Sequence, residues 1–232
     1  MKDFVSAVIV AGGSGTRAKV NVPKQFYEIL NKPVLYYTVK KFCDCKQIDE
    51  IILVVPCDYL VYTSDFVKKL GLSKVTKITI GGKTRQESVL NGLGEADEKC
   101  TFVAVHDGAR PFIDADTIKN CIEDAKKHNG AAVGKKCVDT LKKADENLII
   151  SQTVNREEIW QINTPQIFKK DILLNAHLRA KNEGIDATDD CALLERMGYK
   201  IKITPTEKNN LKITTHDDIK YMEAFLNGIK NW

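Results

Sequence analysis

Residues 5–17 of the chain read VSAVIVAGGSGTR, and this stretch decides the fold. Its first six residues are mostly apolar and rich in β-branched side chains, which is typical of a buried β-strand. The glycine-rich segment that follows breaks the strand, and a helical pattern begins only at residue 34. A buried strand that leads through a glycine-rich loop to a helix is the opening unit of an α/β fold.

Three further strand-like runs alternate with helical patterns in the first 130 residues. The runs occupy residues 51–55, 75–80 and 102–105, and the helical patterns occupy residues 34–42, 59–70, 84–93 and 115–127. Thr84 and Glu87 have the spacing of a capping box, so we place a helix start there. Short apolar strands separated by helices predict a Rossmann-like, mostly parallel sheet with helices on both faces.

Residues 133–163 depart from this alternation. Two β-prone pieces, 138–141 and 148–154, flank the polar turn ADEN at 144–147, which predicts a projecting β-hairpin. We call residues 136–163 the arm. Helical patterns return at 169–181 and 189–197, then a strand at 199–203 and a closing helix. The sequence predicts one domain over residues 1–232 with this arm embedded in it.

Composition excludes several classes of protein. The 232 residues include 35 Lys and Arg against 31 Asp and Glu, and the formal net charge of +4 is too small to indicate nucleic-acid binding. No apolar stretch approaches the ~20 residues that a membrane span needs. The seven cysteines are odd in number and scattered, which favours reduced thiols and a cytoplasmic location.

The glycine-rich loop can be compared with two known phosphate-binding loops. The Walker pattern ends in Gly-Lys-Ser/Thr, which residues 11–17 lack. The dinucleotide pattern is formally met by Gly13, Gly15 and Ala18, but Pro23 interrupts the helix that should follow. NAD binding is therefore not expected, and the loop is either a plain turn or another kind of phosphate site.

Two basic residues favour the phosphate site. Arg17 closes the loop, and Lys24 follows a proline that fixes the backbone next to it. Glycines let backbone N–H groups approach phosphate oxygens closely, and arginine adds charge-assisted hydrogen bonds. The alternative is a glycine turn beside two solvated charges.

Two more polar clusters follow the third and fourth strand-like runs. They read GGKTRQES at 81–88 and HDGARP at 106–111. Ligands of parallel α/β sheets bind beyond the carboxyl ends of the strands, so both clusters should meet the glycine loop. Asp107 can hold Mg²⁺ together with substrate phosphates, and Arg110 can grip a phosphate. His106 is expected to hydrogen-bond the backbone rather than act as a base.

The remaining chemistry narrows the reaction class. The sequence shows neither a Ser-His-Asp arrangement nor the zinc spacing HExxH. Many basic groups around one plausible metal carboxylate indicate phosphoryl or nucleotidyl transfer.

The motifs, taken together, resemble those of the 2-C-methyl-D-erythritol 4-phosphate cytidylyltransferases over nearly the whole chain. They are AGGSGTR at 11–17, PKQ at 23–25, RxxSV at 85–89, HDGARP at 106–111, DT at 139–140, TPQxF at 164–168, TDD at 188–190 and LKIT at 211–214. The chain departs from the family pattern at Ala18-Lys19, where methionine usually follows the arginine, and at Gly108, where alanine is more common.

The resemblance implies roles for individual residues. CTP would be bound by Ala11, Gly12, Gly13, Gly15, Arg17, Lys24, Gly82, Lys83, Arg85 and Ser88. The acceptor, a small polyol phosphate, would be bound by Asp107, Gly108, Arg110, Thr140, Arg156, Thr164, Thr188 and Lys212. Arg17, Lys24, Arg156 and Lys212 would be catalytic, and Asp107 would bind Mg²⁺ or another divalent cation. The arm would cross to a second subunit and make a homodimer.

Two alternatives stay open at this point. Ribitol 5-phosphate cytidylyltransferases share these loops but differ in the acceptor. Gly108-Ala109 and the stretch Thr188-Asp189-Asp190 favour methylerythritol phosphate. A catalytically silent nucleotide-binding protein would bind CTP without releasing pyrophosphate, but the charged motif residues are present.

Overall fold

The computed structural model describes residues 3–13 and 22–229 of the chain. In chain order the strands are β1 (Val5–Val10), β2 (Glu28–Ile29), β3 (Lys32–Pro33), β4 (Glu50–Val55), β5 (Val75–Ile80), β6 (Phe102–Asp107), β7 (Gly130–Lys136), β8 (Leu141–Ala144), β9 (Ile150–Val154), β10 (Trp160–Lys169) and β11 (Lys202–Pro205). Seven of them form the main sheet in the order β11-β7-β10-β6-β1-β4-β5. Strand β10 is antiparallel to both of its neighbours, while the other pairings in this sheet are parallel.

Helices cover both faces of the sheet. They are α1 (Val34–Asp44), α2 (Leu60–Lys69), α3 (Arg85–Gly94), α4 (Ala115–His128), α5 (Lys170–Glu183), α6 (Asp190–Arg196) and α7 (His216–Ile229). Alternate residues of β1 point to opposite faces: Ile9 packs in the cluster that contains α1 and α4, and Val8 in the cluster that contains α3 and α5. The predicted Rossmann-like fold is confirmed. In the described part of the chain, no helix is both long and apolar enough to cross a membrane.

The functional edge of the sheet follows from its parallel pairing. Strand β1 pairs in parallel with β4 and with β6, and Val10 lies opposite both Val54 and Asp107. The three strands therefore deliver their carboxyl ends, and the loops that follow, to one place. Helix α3 reaches the sheet closely because Gly92 has no side chain: a Cβ there would lie 2.4 Å from Val8 Cγ1.

Two strands of the main sheet were not predicted from the sequence. Strand β7 begins with the small residues 130–134, which lack a strand-like pattern. The two glycines are needed because a Cβ on Gly130 would lie 2.5 Å from Phe168 Cδ1 of β10, and one on Gly134 would lie 2.8 Å from Ile203 Cγ2 of β11. Strand β10 contains Pro165, which normally argues against a central strand, and the pairing with β7 is irregular between Ile162 and Gln166.

The arm contains the predicted hairpin. Strands β8 and β9 pair antiparallel as a separate two-stranded sheet, although β8 begins at Leu141 rather than at residue 138. Trp160 pairs with Lys136, so the base of the arm belongs to the main sheet. The arm exposes large apolar side chains: the exposed fraction is 69% for Val138, 86% for Leu148 and 64% for Ile149.

Candidate active site

The glycine loop leaves β1 at the functional edge and is held there by a glutamine. Gln25 is buried, and its side-chain amide donates to the carbonyl oxygens of Ala11 (2.6 Å) and Gly13 (2.8 Å). Lys24 precedes it in a one-turn 3-10 helix and is also buried. The predicted residues Gly15 and Arg17 lie outside the described residues. Gln25 belongs to the PKQ motif at residues 23–25, but the sequence does not show that its side chain would hold the glycine loop, because that depends on contacts between the two segments.

The loop between β5 and α3 is shaped by the predicted helix cap. The Thr84 hydroxyl accepts a hydrogen bond from the Glu87 amide (3.1 Å), and the Glu87 carboxylate accepts one from the Lys83 amide (2.6 Å). Ser88 Oγ accepts from the Gly82 amide (3.1 Å) and donates to the Thr84 carbonyl (2.9 Å). A Cβ on Gly82 would lie 2.3 Å from Glu87 Cβ, so only glycine fits this turn.

Asp107, at the end of β6, is the electrostatic centre of the site. Its carboxylate is paired with Arg85 Nε (3.2 Å), Arg110 Nε (3.3 Å) and Lys212 Nζ (2.9 Å). Burial alone raises the pKa of this carboxyl, but the nearby Arg85, Lys212 and Arg110 cations outweigh it and hold the pKa well below its usual range. Asp107 is therefore ionised, and the three basic groups leave a surplus of positive charge around it.

Arg85 bridges Asp107 to a second buried carboxylate. Its Nη1 lies 2.9 Å from Oδ2 of Asp190, the first residue of α6. Burial lowers the pKa of the guanidinium, but the Asp190 and Asp107 carboxylates outweigh this and raise it. Among the described residues, the buried Nη2 atom of Arg85 has no hydrogen-bond partner. The two carboxylates thus hold the arginine, while one donor is left over.

Arg110 braces the site from behind. Its Nη1 donates to the Asn163 side chain and to the Asn210 carbonyl, both at 2.8 Å. Thr164 is buried, and its hydroxyl accepts from the Asp107 amide at 3.1 Å. The sequence predicted acceptor contacts for Arg110 and Thr164, whereas here both have protein partners. His106 hydrogen-bonds the Arg110 carbonyl at 3.2 Å, as expected for a structural histidine.

These elements enclose a cleft of about 270 Å³, which we call the edge pocket. Ten predicted residues line it: Ala11, Gly12, Gly13, Lys24, Gly82, Lys83, Arg85, Ser88, Asp107 and Lys212. Four further lining residues were not predicted as site residues: Val10, Gln25, Thr84 and Ala109. The pocket presents glycine backbone and basic side chains, which is the chemistry that a triphosphate requires.

The other predicted residues lie elsewhere. Gly108 stands behind the pocket, where a Cβ would lie 2.9 Å from Leu35 Cδ1. Thr140, Arg156 and Thr188 are exposed. Arg156 donates to the Val138 carbonyl within the arm. In the described part of the chain, no hydrogen bond or ion pair joins Thr140 or Arg156 to the pocket lining.

Comparison with known proteins gives a consistent result. The sequence model of the family described as "IspD: 2-C-methyl-D-erythritol 4-phosphate cytidylyltransferase" matches residues 5–228. A 2-C-methyl-D-erythritol 4-phosphate cytidylyltransferase of Clostridium novyi (strain NT) is 42% identical over 225 residues, covering 97% of each chain. One from Caldanaerobacter subterraneus is 43% identical, covering 96% of this chain and 98% of its own.

Solved structures agree with the relatives. The crystal structure of 4-diphosphocytidyl-2C-methyl-D-erythritol synthase from Anaerococcus prevotii is 31% identical and superimposes with a TM-score of 0.85, covering 98% of this chain and all of its own. The 2-C-methyl-D-erythritol 4-phosphate cytidylyltransferase of Thermus thermophilus is 28% identical with a TM-score of 0.78, covering 95% of this chain and 98% of its own.

Proposed function

Because the chain belongs to the 2-C-methyl-D-erythritol 4-phosphate cytidylyltransferase family, we propose that the edge pocket is its CTP site. The chain is a nucleotidyltransferase of isoprenoid precursor synthesis. It transfers CMP from CTP to 2-C-methyl-D-erythritol 4-phosphate, giving 4-diphosphocytidyl-2-C-methyl-D-erythritol and pyrophosphate. One observation carries the site proposal: Lys24, Lys83, Arg85 and Lys212 converge on a pocket floored by glycine backbone.

The triphosphate is placed over the glycine loop. Gly12 and Gly13 leave the backbone open to phosphate oxygens, and Gln25 holds the loop in shape. Lys24 contributes its charge from the same wall of the pocket. Gly15 and Arg17 are proposed to complete this subsite.

The cytosine and ribose are placed against residues 82–88. The Ser88 hydroxyl is engaged with Gly82 and Thr84, so it shapes the loop rather than offering a free donor to the base. Lys83 and the backbone of this loop are the groups that remain to contact the nucleoside. Arg85 lines the same wall, and its guanidinium is held in place there by Asp107 and Asp190.

Mg²⁺, or another divalent cation, is the proposed cofactor, with Asp107 as its ligand. No group of three His, Cys, Asp or Glu in the described residues could hold a metal alone. Mg²⁺ at phosphate sites takes one or two carboxylates and completes its shell with phosphate oxygens and water. Asp107 fits this role because, among the residues that the structure describes, its Oδ1 accepts one hydrogen bond, from Arg85, which leaves a second lone pair for a cation. When bound, the ion would neutralise phosphate charge.

The transfer step requires charge stabilisation more than proton transfer. An oxygen of the acceptor phosphate attacks the α-phosphorus of CTP, the bond to the β-phosphate oxygen breaks, and pyrophosphate leaves. A phosphate monoester has its second pKa near 6, so the acceptor is largely a dianion at neutral pH and needs no strong base. Lys24 and Lys212 are proposed to stabilise the charge that gathers between the two anions, together with Arg17 and Arg156.

The acceptor half of the site is proposed to include the arm of a second subunit. Gly108 and Arg110 support Asp107 from behind the pocket, while Thr140, Arg156, Thr164, Thr188 and Lys212 are proposed around the acceptor. Thr140 and Arg156 lie on the exposed arm, whose apolar side chains are also exposed. A homodimer that exchanges arms would bury these side chains and bring Arg156 to the neighbour's pocket.

Mixed dimers test this exchange. Asp107→Asn inactivates a pocket and Arg156→Ala inactivates an arm, so each variant alone should be nearly inactive. If the arm serves the neighbour, mixing the two by refolding should restore about a quarter of wild-type activity, since half of the dimers have one intact site of two. No restoration would show that arm and pocket belong to the same chain.

Turnover tests the chemistry directly. Pyrophosphate release should require CTP and methylerythritol phosphate, and ribitol 5-phosphate should support little. The reverse preference would identify ribitol 5-phosphate as the acceptor. CTP binding without release would identify a silent nucleotide-binding protein.

A cytoplasmic location is also proposed. The seven cysteines are free thiols, and five of them, including Cys121 and Cys191, are buried. Free buried thiols are typical of proteins kept in a reducing compartment.

A further inference from the structure

A buried histidine lies behind the edge pocket and belongs to no motif in the sequence. His177 sits on the inner face of α5 with 1% of its surface exposed. Its Nε2 lies 2.9 Å from Oδ1 of Asp190, which is also 1% exposed. The carboxylate can only accept, so Nε2 carries the hydrogen and His177 is the donor.

This contact begins a chain of hydrogen bonds that runs from the buried His177–Asp190 pair to the partly exposed Arg85 in the pocket. The other oxygen of Asp190, Oδ2, accepts from Arg85 Nη1 at 2.9 Å. Arg85 Nε in turn donates to Asp107 Oδ1 at 3.2 Å. Both Arg85 and Asp107 line the edge pocket, whereas His177 and Asp190 do not.

The backbone of Asp190 is fixed independently of His177. Gln166 Oε1 accepts from the amides of Asp190 (3.0 Å) and Cys191 (3.2 Å), and Gln166 Nε2 donates to Asp189 (2.8 Å). The start of α6 is therefore anchored to β10. His177 fixes the rotation of the Asp190 carboxylate, because it hydrogen-bonds one carboxylate oxygen and leaves the other facing Arg85.

We propose that His177 is a positioning residue for CMP transfer, acting through Asp190 to hold Arg85 against Asp107. Without the histidine donor, one buried carboxylate oxygen loses its partner, and the carboxylate turns to share both oxygens with Arg85. The guanidinium then shifts away from Asp107 and changes the wall on which CTP rests. This inference rests on the proposed function of Arg85 and Asp107 in the CTP site.

Three substitutions at one position separate positioning from packing. His177→Leu keeps an apolar volume and removes the donor. His177→Gln keeps an amide N–H close to the position of Nε2, and His177→Asn keeps a polar side chain that stops short of Asp190. Leu173→Ala is the matched control: Leu173 is fully buried one turn earlier on α5, and its truncation leaves a cavity without touching the hydrogen-bond chain.

The measurements are kcat and KM for CTP by pyrophosphate release, together with the melting temperature. We expect His177→Leu and His177→Asn to lower kcat/KM for CTP by about 10- to 100-fold. Losses of this size are typical when a supporting hydrogen bond is removed and the group that it held is displaced. His177→Gln should stay within about threefold of wild type. Leu173→Ala should lower the melting temperature at least as much as His177→Leu, yet keep kcat/KM within about twofold.

The double variant tests the route. In an Asp190→Asn background, His177→Leu should reduce kcat/KM by less than about twofold more, because residues acting as one unit are not additive. The inference fails if His177→Leu matches wild type, if His177→Gln is as impaired as His177→Leu, or if Leu173→Ala loses activity equally. Wild-type protein that releases no pyrophosphate would instead contradict the proposed function.

Discussion

The edge pocket and the arm present basic side chains in opposite ways. In the pocket, Arg85 and Lys212 are paired with Asp107, and their positions are set by partners within the same chain. On the arm, Arg156 is exposed and donates to a carbonyl of the arm itself. The basic groups of the pocket are thus held in place by partners before any ligand arrives, whereas the hydrogen bond of Arg156 in the described structure stays within the arm.

In the proposed function, the pocket of one chain supplies nucleotide contacts, whereas part of the acceptor site depends on arm residues that lie apart from that chain's pocket. Preorganised charges cost no reorganisation at the moment of reaction. An arm with exposed Leu148 and Ile149 lacks the buried contacts that fix a side chain. Substitutions in the two regions should therefore have different kinetic signatures.

The largest effect is expected at the centre of the pocket. Asp107→Asn removes the charge that holds Arg85, Arg110 and Lys212, and it weakens the proposed metal ligand. We expect kcat to fall by about 10³-fold, the upper end of the loss when a preorganised electrostatic contact is removed. Pyrophosphate release under saturating substrates measures it. Asp114→Asn is the control, because asparagine caps α4 as well as aspartate does. A loss below tenfold would contradict the central role of Asp107.

The second effect should separate the arm from the pocket. Arg156→Ala is expected to lower kcat/KM for the acceptor by about 10²-fold and to leave the dissociation constant of CTP within about twofold. Steady-state kinetics and calorimetry measure the two quantities. Arg179→Ala, an exposed arginine on α5, should change neither. Weaker CTP binding by Arg156→Ala would mean that the arm belongs to the nucleotide half.

The third effect is a pH dependence of stability that comes from His106, whose side chain is fully buried in β6. Burial lowers the pKa of His106 to about 3 from its usual value of 6.5. Between pH 6.5 and 3, His106 is protonated in the unfolded chain but stays neutral in the folded chain. The free energy of unfolding therefore falls as pH falls, by up to about 1.4 kcal/mol per pH unit in this range. Urea unfolding at pH 7, 6 and 5 measures this slope.

Two substitutions assign that slope. His106→Gln should flatten the stability profile between pH 6.5 and 5, while His216→Gln at an exposed site should leave it unchanged. An unaltered slope in His106→Gln would place the titrating group elsewhere.

The smallest effect concerns the turn of the arm. Leu148 adopts a positive φ of 62°, which disfavours a leucine, whereas Asn129 has the same φ at the end of α4. Leu148→Asn is expected to raise the free energy of unfolding by about 0.5 kcal/mol, and Asn129→Leu to lower it by about 1 kcal/mol. Thermal unfolding checks both. A destabilised Leu148→Asn would show that a second chain covers the tip of the arm.

The sequence predicted the elements whose signals are local. Strand β5 has the predicted bounds, and the Thr84 cap forms as its spacing indicated. The glycine loop, residues 82–88 and Asp107 meet at one edge because parallel strands end there, which needs no knowledge of distant contacts.

What the sequence did not predict depends on contacts between distant segments. The Arg85–Asp190 pair joins residues that are 105 positions apart, and no local sequence pattern predicts this contact. Strand β10 carries proline and polar residues because Thr164 and Gln166 serve Asp107 and α6 rather than the core alone. The acceptor-binding roles of Thr188 and Arg156 stay predictions, since neither residue lines the pocket of the described structure.

The position of β10 has a consequence for how the chain is made. It inserts between β6 and β7, although the whole of α4, β7 and most of the arm separate it from β6 along the chain. On the ribosome, which adds roughly 5–20 residues per second, the outer edge of β6 stays unpaired for several seconds until residues 166–169 emerge. An unpaired strand edge is a template for other chains. Nascent chains halted between Asp107 and Lys169 should therefore aggregate more readily than the finished chain.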